Sequence, residues 1–256
     1  MLYKLGAVPY LNALPLIHFL EEKPRLEPPA PLSHLLRIGE VDIATAPVVA
    51  LFENPNYTLV PGVCIGSNGP VKSVKLFFTS PEVNVENVKS IYLDMESRTS
   101  VMLLKIILHF KYGRNLDDIQ FFTPMPAHPV EAKLLIGDKS LKEIPDSPPL
   151  DLGYEWTSWT GLPFVYAAWI SRHPEASERA IAELTKARDK GVKNISEVIP
   201  ESSGFPKTVI EDYLKQLIYT LGPKEMEGMA LFREYLLRAR LMNEYKIHDA
   251  AQSRKS

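Results

Sequence analysis

Cysteine is nearly absent from this 256-residue chain, and its single thiol, Cys64, excludes an intrachain disulfide and any zinc site built from several cysteines. Cys64 sits in the apolar run Val63-Cys64-Ile65, which predicts a buried, inert thiol rather than a nucleophile. No apolar segment approaches the ~20 residues needed to span a bilayer. The opening Met1-Leu2-Tyr3-Lys4-Leu5-Gly6 shows no basic region followed by a long apolar stretch, so a cytoplasmic location is expected. An excess of one charge is also missing. With 29 basic and 31 acidic side chains the formal net charge is -2, and no whole-molecule field would gather nucleic acid or an anionic membrane. The local basic run Lys186, Arg188, Lys190 and Lys193 alternates with acids and reads as a solvated helix face. Six histidines, His18, His34, His109, His128, His173 and His248, fall at no ligand spacing, so no metal is expected. Nor is there a nucleophile elbow, a phosphate-binding loop or a dinucleotide fingerprint, so no cofactor is expected either. Gly62, Gly66 and Gly69 lack the strand-to-helix setting such a fingerprint needs.

What is present is an ordinary globular balance, 45% hydrophobic and 23% charged, in a chain long enough for two small lobes. Tyr3 to Val8 reads as a buried strand ended by Pro9. Leu14, Ile17, His18 and Leu20 follow at helical spacing, with Asn12 at a plausible cap position. Lys23 to Pro31, with four prolines, predicts a loop, and Leu32 to Ile38 a short helix stopped by Gly39. A second strand runs over Val41 to Ala44, completing an α/β unit with a largely parallel sheet. Tyr57 to Val60, Val63 to Gly66 and Val71 to Thr79 are three further strand candidates, rich in β-branched and aromatic residues. The rhythm then restarts. Ile91 to Asp94 reads as a strand, Ser97 to Phe110 as an apolar helix, and Ala132 to Ile136 as another strand.

Gly161 to Ile170 is the most strand-like run of the second half, and the remainder reads as helices over Glu175 to Lys190, Lys207 to Thr220 and Pro223 to Arg240. The expected architecture is therefore two α/β lobes, residues 1–78 plus 172–256 and residues 79–171, joined by two crossing strands around a hinged cleft. The polar tail from His248 to Ser256 is expected to fray.

Polar clusters at strand-to-helix junctions are the candidates for chemistry. Ser97-Arg98-Thr99-Ser100 opens a helix and offers hydroxyls, a guanidinium and free backbone N–H groups, a set suited to a carboxylate or phosphate. A well-capped helix with Arg98 in solvent fits the same residues equally well. Tyr10 and Asn12 follow the first strand, and Asp138 follows Gly137 at a third junction, where helix capping is the simplest role. Ser67 and Asn68 lie in the polar turn Gly66-Ser67-Asn68-Gly69-Pro70, useful as a turn or as a binding loop, and Gly161 opens the last long strand run.

These clusters carry a resemblance. Val8-Pro9-Tyr10-Leu11-Asn12-Ala13-Leu14-Pro15-Leu16 resembles the opening motif of chorismate dehydratases from the futalosine route to menaquinone. Gly39 to Ala44 with Pro47, Val71 to Val74, Leu93-Asp94 with Ser97 to Ser100, Leu135 to Asp138, Asp151 to Gly153 with Trp156, and Thr160 to Val165 match further blocks in order. The series covers roughly residues 5 to 172, and the opening motif of the sister enzyme, dihydroxynaphthoate synthase, is absent.

The resemblance implies a two-lobed, periplasmic-binding-protein-like (type II) fold and conversion of chorismate to 3-[(1-carboxyvinyl)oxy]benzoate and water. It implies no metal or cofactor, since aromatisation of the ring drives the elimination. From the junctions, Asn12 is the candidate catalytic residue, with Tyr10, Ser67, Asn68, Ser97, Arg98, Thr99, Ser100, Asp138 and Gly161 as candidate substrate contacts. Two proton acceptors stay open: Asp138, if the cleft raises its pKa, or the substrate's own enolpyruvyl carboxylate. A monomer or homodimer is expected. The main rival is a solute-binding protein with the same cleft and no chemistry, and the next is a ligand-sensing regulatory domain, for which no helix-turn-helix is visible.

Overall fold

The computed structural model describes residues 3–242 except 95, 175–177 and 202–203, so the expected fraying of the tail lies outside the described residues. Two sheets organise the chain. The first contains β1 (Leu5–Ala7), β2 (Arg25–Leu26), β3 (Ile43–Pro47), β4 (Thr58–Ser67), β10 (Phe164–Ser171) and β11 (Leu217–Leu221), in the order β11-β4-β10-β3-β1-β2. The second contains β5 (Val74–Phe78), β6 (Ser90–Leu93), β7 (Gln120–Phe122), β8 (Ala132–Ile136) and β9 (Leu150–Asp151), in the order β7-β6-β8-β5-β9. In each sheet a parallel part (β2-β1-β3 and β7-β6-β8) continues into antiparallel strands. Both sheets are therefore mixed, and strands such as β1, buried at every residue, read as unbroken apolar runs because both faces are covered.

The covering helices are α1 (Leu14–Ile17), α2 (Pro29–Ile38), α3 (Val48–Glu53), α4 (Arg98–Ile106), α5 (Asp138–Lys142), α6 (Leu152–Thr160), α7 (Glu178–Lys193), α8 (Ile195–Val198), α9 (Lys207–Gln216) and α10 (Pro223–Arg238). Helix α10 packs against β10 and also against α4, so one helix touches elements associated with both sheets. Its Phe232 and Tyr235 meet Trp156 of α6 at ring separations of 6.0 and 6.2 Å, and Phe232 meets Phe164 of β10 at 4.9 Å.

The structure corrects several expectations. Helix α2 starts at Pro29, inside the segment read as loop, because prolines in a first turn surrender only N–H groups that have no helical acceptor. Strand β4 runs unbroken through Pro61-Gly62. The ladder to β10 jumps from Cys64 to Leu59, so residues 60–63 bulge and Gly62 takes φ +84° there. Leu217–Leu221 is an edge strand against β4, where the helix was expected to continue to Thr220. Within the basic run on α7, Arg188 is buried and donates to the Gly62 carbonyl and to Asp189, so that face is only partly solvated.

The chain changes sheet at residues 68–73 and 161–163, not at 78 and 172 as expected. Val74–Phe78 pairs wholly within the second sheet and Phe164–Ser171 wholly within the first, so short irregular segments make the crossings. One carboxylate clamps the first crossing. Asp151 Oδ1 accepts from the N–H groups of Val71, Gly153 and Tyr154 at 3.0, 3.0 and 3.1 Å, and Oδ2 accepts from Lys72 at 2.8 Å. Asp151 thus caps α6 and fixes the turn in which Lys72 adopts a left-handed φ of +64°. A Cβ at Gly153 would lie 2.7 Å from the Gly69 carbonyl, so the crossing can lie against α6 only where the side chain is a hydrogen.

Candidate functional site

Between the two sheets lies a cavity of about 240 Å³. Its first wall is built by residues at the ends of β1 and β3 (Val8, Tyr10, Asn12, Thr45, Pro47) together with Ile65 and Tyr166. Its second wall is built by Glu96, Ser97 and Ser100 at the start of α4 and by Gly137, Asp138 and Lys139 at the start of α5. Ser73 of the first crossing and Tyr213 of α9 close one side. Both walls thus consist of junctions where strands end and helices begin, the usual ligand position in open α/β sheets.

Of the residues named from sequence, Tyr10, Asn12, Ser97, Ser100 and Asp138 line this cavity. Ser97 is the N-cap of α4: its Oγ accepts from the Ser100 N–H at 3.3 Å and lies 3.0 Å from Ser100 Oγ. Capping and cavity lining therefore coexist in the same two serines. The first turn of α4 also leaves backbone N–H groups without helical acceptors.

The other five named residues lie elsewhere. Arg98 turns to the surface and makes a two-pronged ion pair with Glu53 at 2.6 and 2.7 Å, its side chain 52% exposed. Thr99 is fully buried beneath the helix, its Oγ1 3.4 Å from the Val49 N–H. Asn68 is exposed in the crossing, while the buried Ser67 lies 3.4 Å from the Tyr166 hydroxyl, behind the wall. Gly161 ends α6 in a left-handed conformation at φ +72°, a helix-stop role.

Asn12 lies at a plausible cap position but caps no helix. It sits inside a tight helical turn, Leu11–Ala13, with no capping bond from its side chain. Its side chain instead reaches the buried Tyr213 hydroxyl, which also donates to Ser73 Oγ at 2.9 Å. The Asn12 carbonyl oxygen is buried and has no hydrogen-bond partner. An orphaned buried acceptor costs roughly 1–3 kcal/mol.

Asp138 is the first residue of α5, with Gly137 at the cap position, so it does not cap that helix either. Its carboxylate lies near the backbone N–H of Leu11, on the opposite wall, which favours the anion. Burial pushes its pKa above the usual carboxylate range; nearby Glu96 adds to that and Lys142 opposes it. A second contact spans the walls at Tyr10, whose hydroxyl donates to Glu96 Oε2 at 3.0 Å. Burial and the Glu96 carboxylate push the Tyr10 phenol up, so it remains a donor. Lys139 donates to Glu96 Oε1 at 2.7 Å and to Asp94 Oδ2 at 3.1 Å, so the one cation among the described lining residues is already paired with two acids.

Sequence reasoning missed Thr45, Ser73, Glu96, Lys139, Tyr166 and Tyr213. Ser73, Glu96, Lys139 and Tyr166 lie inside or directly beside the motif blocks that drew attention to their neighbours. Tyr213 had no such signal, because α9 reaches the cavity only through tertiary packing. Cys64 is buried, and burial pushes its thiol up, consistent with an inert role. Among the described residues, no group of three or more His, Cys, Asp or Glu side chains is placed to hold a metal ion, and no helix is long and apolar enough to cross a membrane.

The family described as menaquinone biosynthesis matches residues 3–238. The chain is 29% identical to a chorismate dehydratase from Thermus thermophilus, over 91% of this chain and 95% of that protein. Among solved structures, it resembles a protein from Archaeoglobus fulgidus with a TM-score of 0.70 and 16% identity, covering 94% of this chain and 98% of that one. It also resembles the periplasmic aliphatic sulphonate binding protein of Escherichia coli, with a TM-score of 0.55 and 16% identity over 94% of each chain. At these identities the structural likenesses establish the fold, which is the two-lobed periplasmic-binding-protein type.

Proposed function

The chain belongs to the menaquinone-biosynthesis family, and we propose that its cavity dehydrates chorismate to 3-[(1-carboxyvinyl)oxy]benzoate. The observation that carries this reading is the likeness to the Thermus chorismate dehydratase along nearly the whole of both chains. The geometry supports it in three ways. The serine-capped start of α4 supplies neutral donors for one carboxylate of a dianion. The orphaned Asn12 carbonyl oxygen supplies an acceptor for a ring hydroxyl. The apolar remainder of the wall, including Val8, Ile65, Val71 and Ile136, suits the ring itself.

In the reaction, the proton on the ring carbon beside the ether leaves, the adjacent hydroxyl departs, and the ring becomes aromatic. The substrate's enolpyruvyl carboxylate takes that proton, and Asn12 holds the hydroxyl in line. The protein's contribution is orientation, exclusion of water and placement of dipoles where charge develops. Incubating the purified protein with chorismate tests this, with the aromatic enol ether detected by mass and ultraviolet absorbance. Appearance of that product at an enzyme-dependent rate is expected. Saturable binding of chorismate without its conversion would instead make the chain a solute-binding protein, the role its E. coli neighbour is named for.

A further inference from the structure

We propose that Asp138 is the general acid that protonates the departing hydroxyl, taking up one proton as the dianionic substrate enters. This rests on the dehydratase reading above and adds the partner that reading lacks, because hydroxide is a poor leaving group and the elimination so far has no proton donor for it.

The placement comes from both walls. Asp138 lines the cavity, and its carboxylate meets the N–H of Leu11, the residue directly before Asn12. The Tyr213 hydroxyl is reached by the Asn12 side chain and also feels the Asp138 charge, so the three groups converge on one region. A substrate hydroxyl there would give its own hydrogen to the partnerless Asn12 carbonyl oxygen. Its oxygen would then be free to accept the Asp138 proton.

Burial, more than the surrounding charge, favours a protonated Asp138 carboxyl, since Lys142 and the Leu11 N–H both favour the anion. From the α4 side Glu96 faces it, and from the first sheet's wall Tyr10 contributes only a neutral phenol. From α9 it meets the neutral phenol of Tyr213. On its own helix Lys142 opposes protonation, while Lys139 is turned to Asp94 and Glu96. Burial already pushes Asp138 up, and two incoming carboxylates push in the same direction.

The step balances. The enolpyruvyl carboxylate accepts the ring proton, and the C–H electron pair becomes a ring π bond. The C–O bond to the hydroxyl breaks as its oxygen takes the Asp138 proton and leaves as water. The product's enolpyruvyl carboxylic acid then returns its proton through that water to the Asp138 carboxylate. Product dianion, water and the protonated acid are restored.

The competing role for Asp138 is a tie that merely holds the walls together through Leu11. Asp138→Asn separates the two, because its amide oxygen can still face that N–H but cannot donate an acidic proton. Turnover of chorismate by Asp138→Asn is expected to fall at least about 100-fold. Calorimetry with 3-(carboxymethoxy)benzoate, an unreactive dianion of the product's shape, supplies a second readout. In two buffers of different ionisation enthalpy near neutral pH, wild type and Glu96→Gln should each take up about one proton on binding, and Asp138→Asn none. Turnover by Asp138→Asn within a few-fold of wild type overturns the acid role. Absence of uptake in wild type does so too, and so does uptake abolished by Glu96→Gln or kept by Asp138→Asn. A wild-type protein that leaves chorismate unchanged overturns the parent reading and the acid with it, whereas parity of the variant overturns the acid alone.

Discussion

Replacing Asn12 separates a positioning role at the reacting ring from a purely structural one. Asn12 makes no capping bond, its side chain reaches the Tyr213 hydroxyl, and its carbonyl oxygen is buried without a partner. In Asn12→Ala two stability effects oppose each other. Losing the contact with Tyr213 costs at most about 1 kcal/mol, and removing an unsatisfied buried acceptor returns a similar amount. The melting temperature should therefore move by only a few degrees, because ~1 kcal/mol corresponds to ~2–4 °C in a chain of this size. Catalysis has no such offset. A contact to the hydroxyl that strengthens as the C–O bond stretches is worth roughly 3–4 kcal/mol in the transition state, so kcat should fall about 10²–10³-fold with a smaller change in KM. Asn12→Asp keeps size and acceptor atoms but adds an anion beside Asp138 and the incoming carboxylates, so both binding and turnover should suffer. Steady-state kinetics on chorismate, with thermal melts of the same preparations, give both readouts. Full turnover in Asn12→Asp, or a stability loss in Asn12→Ala large enough to account for its lost activity, would refute this reasoning.

Ser100→Ala should weaken binding of the dianion about ten- to a hundred-fold with a nearly unchanged melting temperature, measured by calorimetry and thermal melts; unchanged affinity would leave Ser100 only its contact with the Ser97 cap. Arg98→Ala should leave substrate affinity unchanged and cost about 1 kcal/mol, because Arg98 is exposed and its partner Glu53 half-buried; a large rise in KM would show that the guanidinium swings into the cleft. Asp151→Ala should cost about 2–4 kcal/mol in denaturant unfolding, since four backbone N–H groups lose one acceptor together; a loss under 1 kcal/mol would mean that water replaces the carboxylate at the crossing.

The sequence carried the rhythm of the fold better than its edges. Buried strands such as Leu5–Ala7 and Ala132–Ile136 were legible because apolar runs bounded by turn residues have few alternatives. Leu217–Leu221 was not, because a five-residue apolar run directly after a helix fits another helical turn as well as a strand, and only pairing with β4 decides it. The change of sheet was misplaced for a related reason: pattern locates strands, but partners decide which sheet they join. At the start of α4 the error was one of rotation. Residues three apart share a helix face, which puts Ser97 and Ser100 together at the cavity, while Arg98 and Thr99 turn to solvent and to the core. That distinction was available from spacing alone. Tyr213 was out of reach, since nothing in α9 marks a residue that meets the site from a distant part of the chain.

If the proposed route holds, the charge arrangement suits the cleft to elimination as well as capture. A receptor for a dianion gains most from free cations, yet among the described lining residues Lys139 is the one cation and it is held by Asp94 and Glu96. On the proposed route, carboxylates entering this cavity meet hydroxyls, an amide and backbone N–H groups alongside the acids Glu96 and Asp138, so water is replaced without the charge being neutralised. That difference has a chemical consequence on the proposed route. A carboxylate paired with lysine or arginine loses basicity, whereas one held by neutral dipoles in an apolar cavity keeps or gains it. The enolpyruvyl carboxylate has to act as a base, so a cation placed against it would tighten binding and slow the chemistry. Pairing Lys139 with two acids withholds that cation. Placing Asp138 at the other end of the elimination supplies a proton where the hydroxyl departs. On the proposed route, the same two-lobed fold that serves solute capture in its E. coli neighbour is in this way biased toward moving a proton between two parts of one substrate.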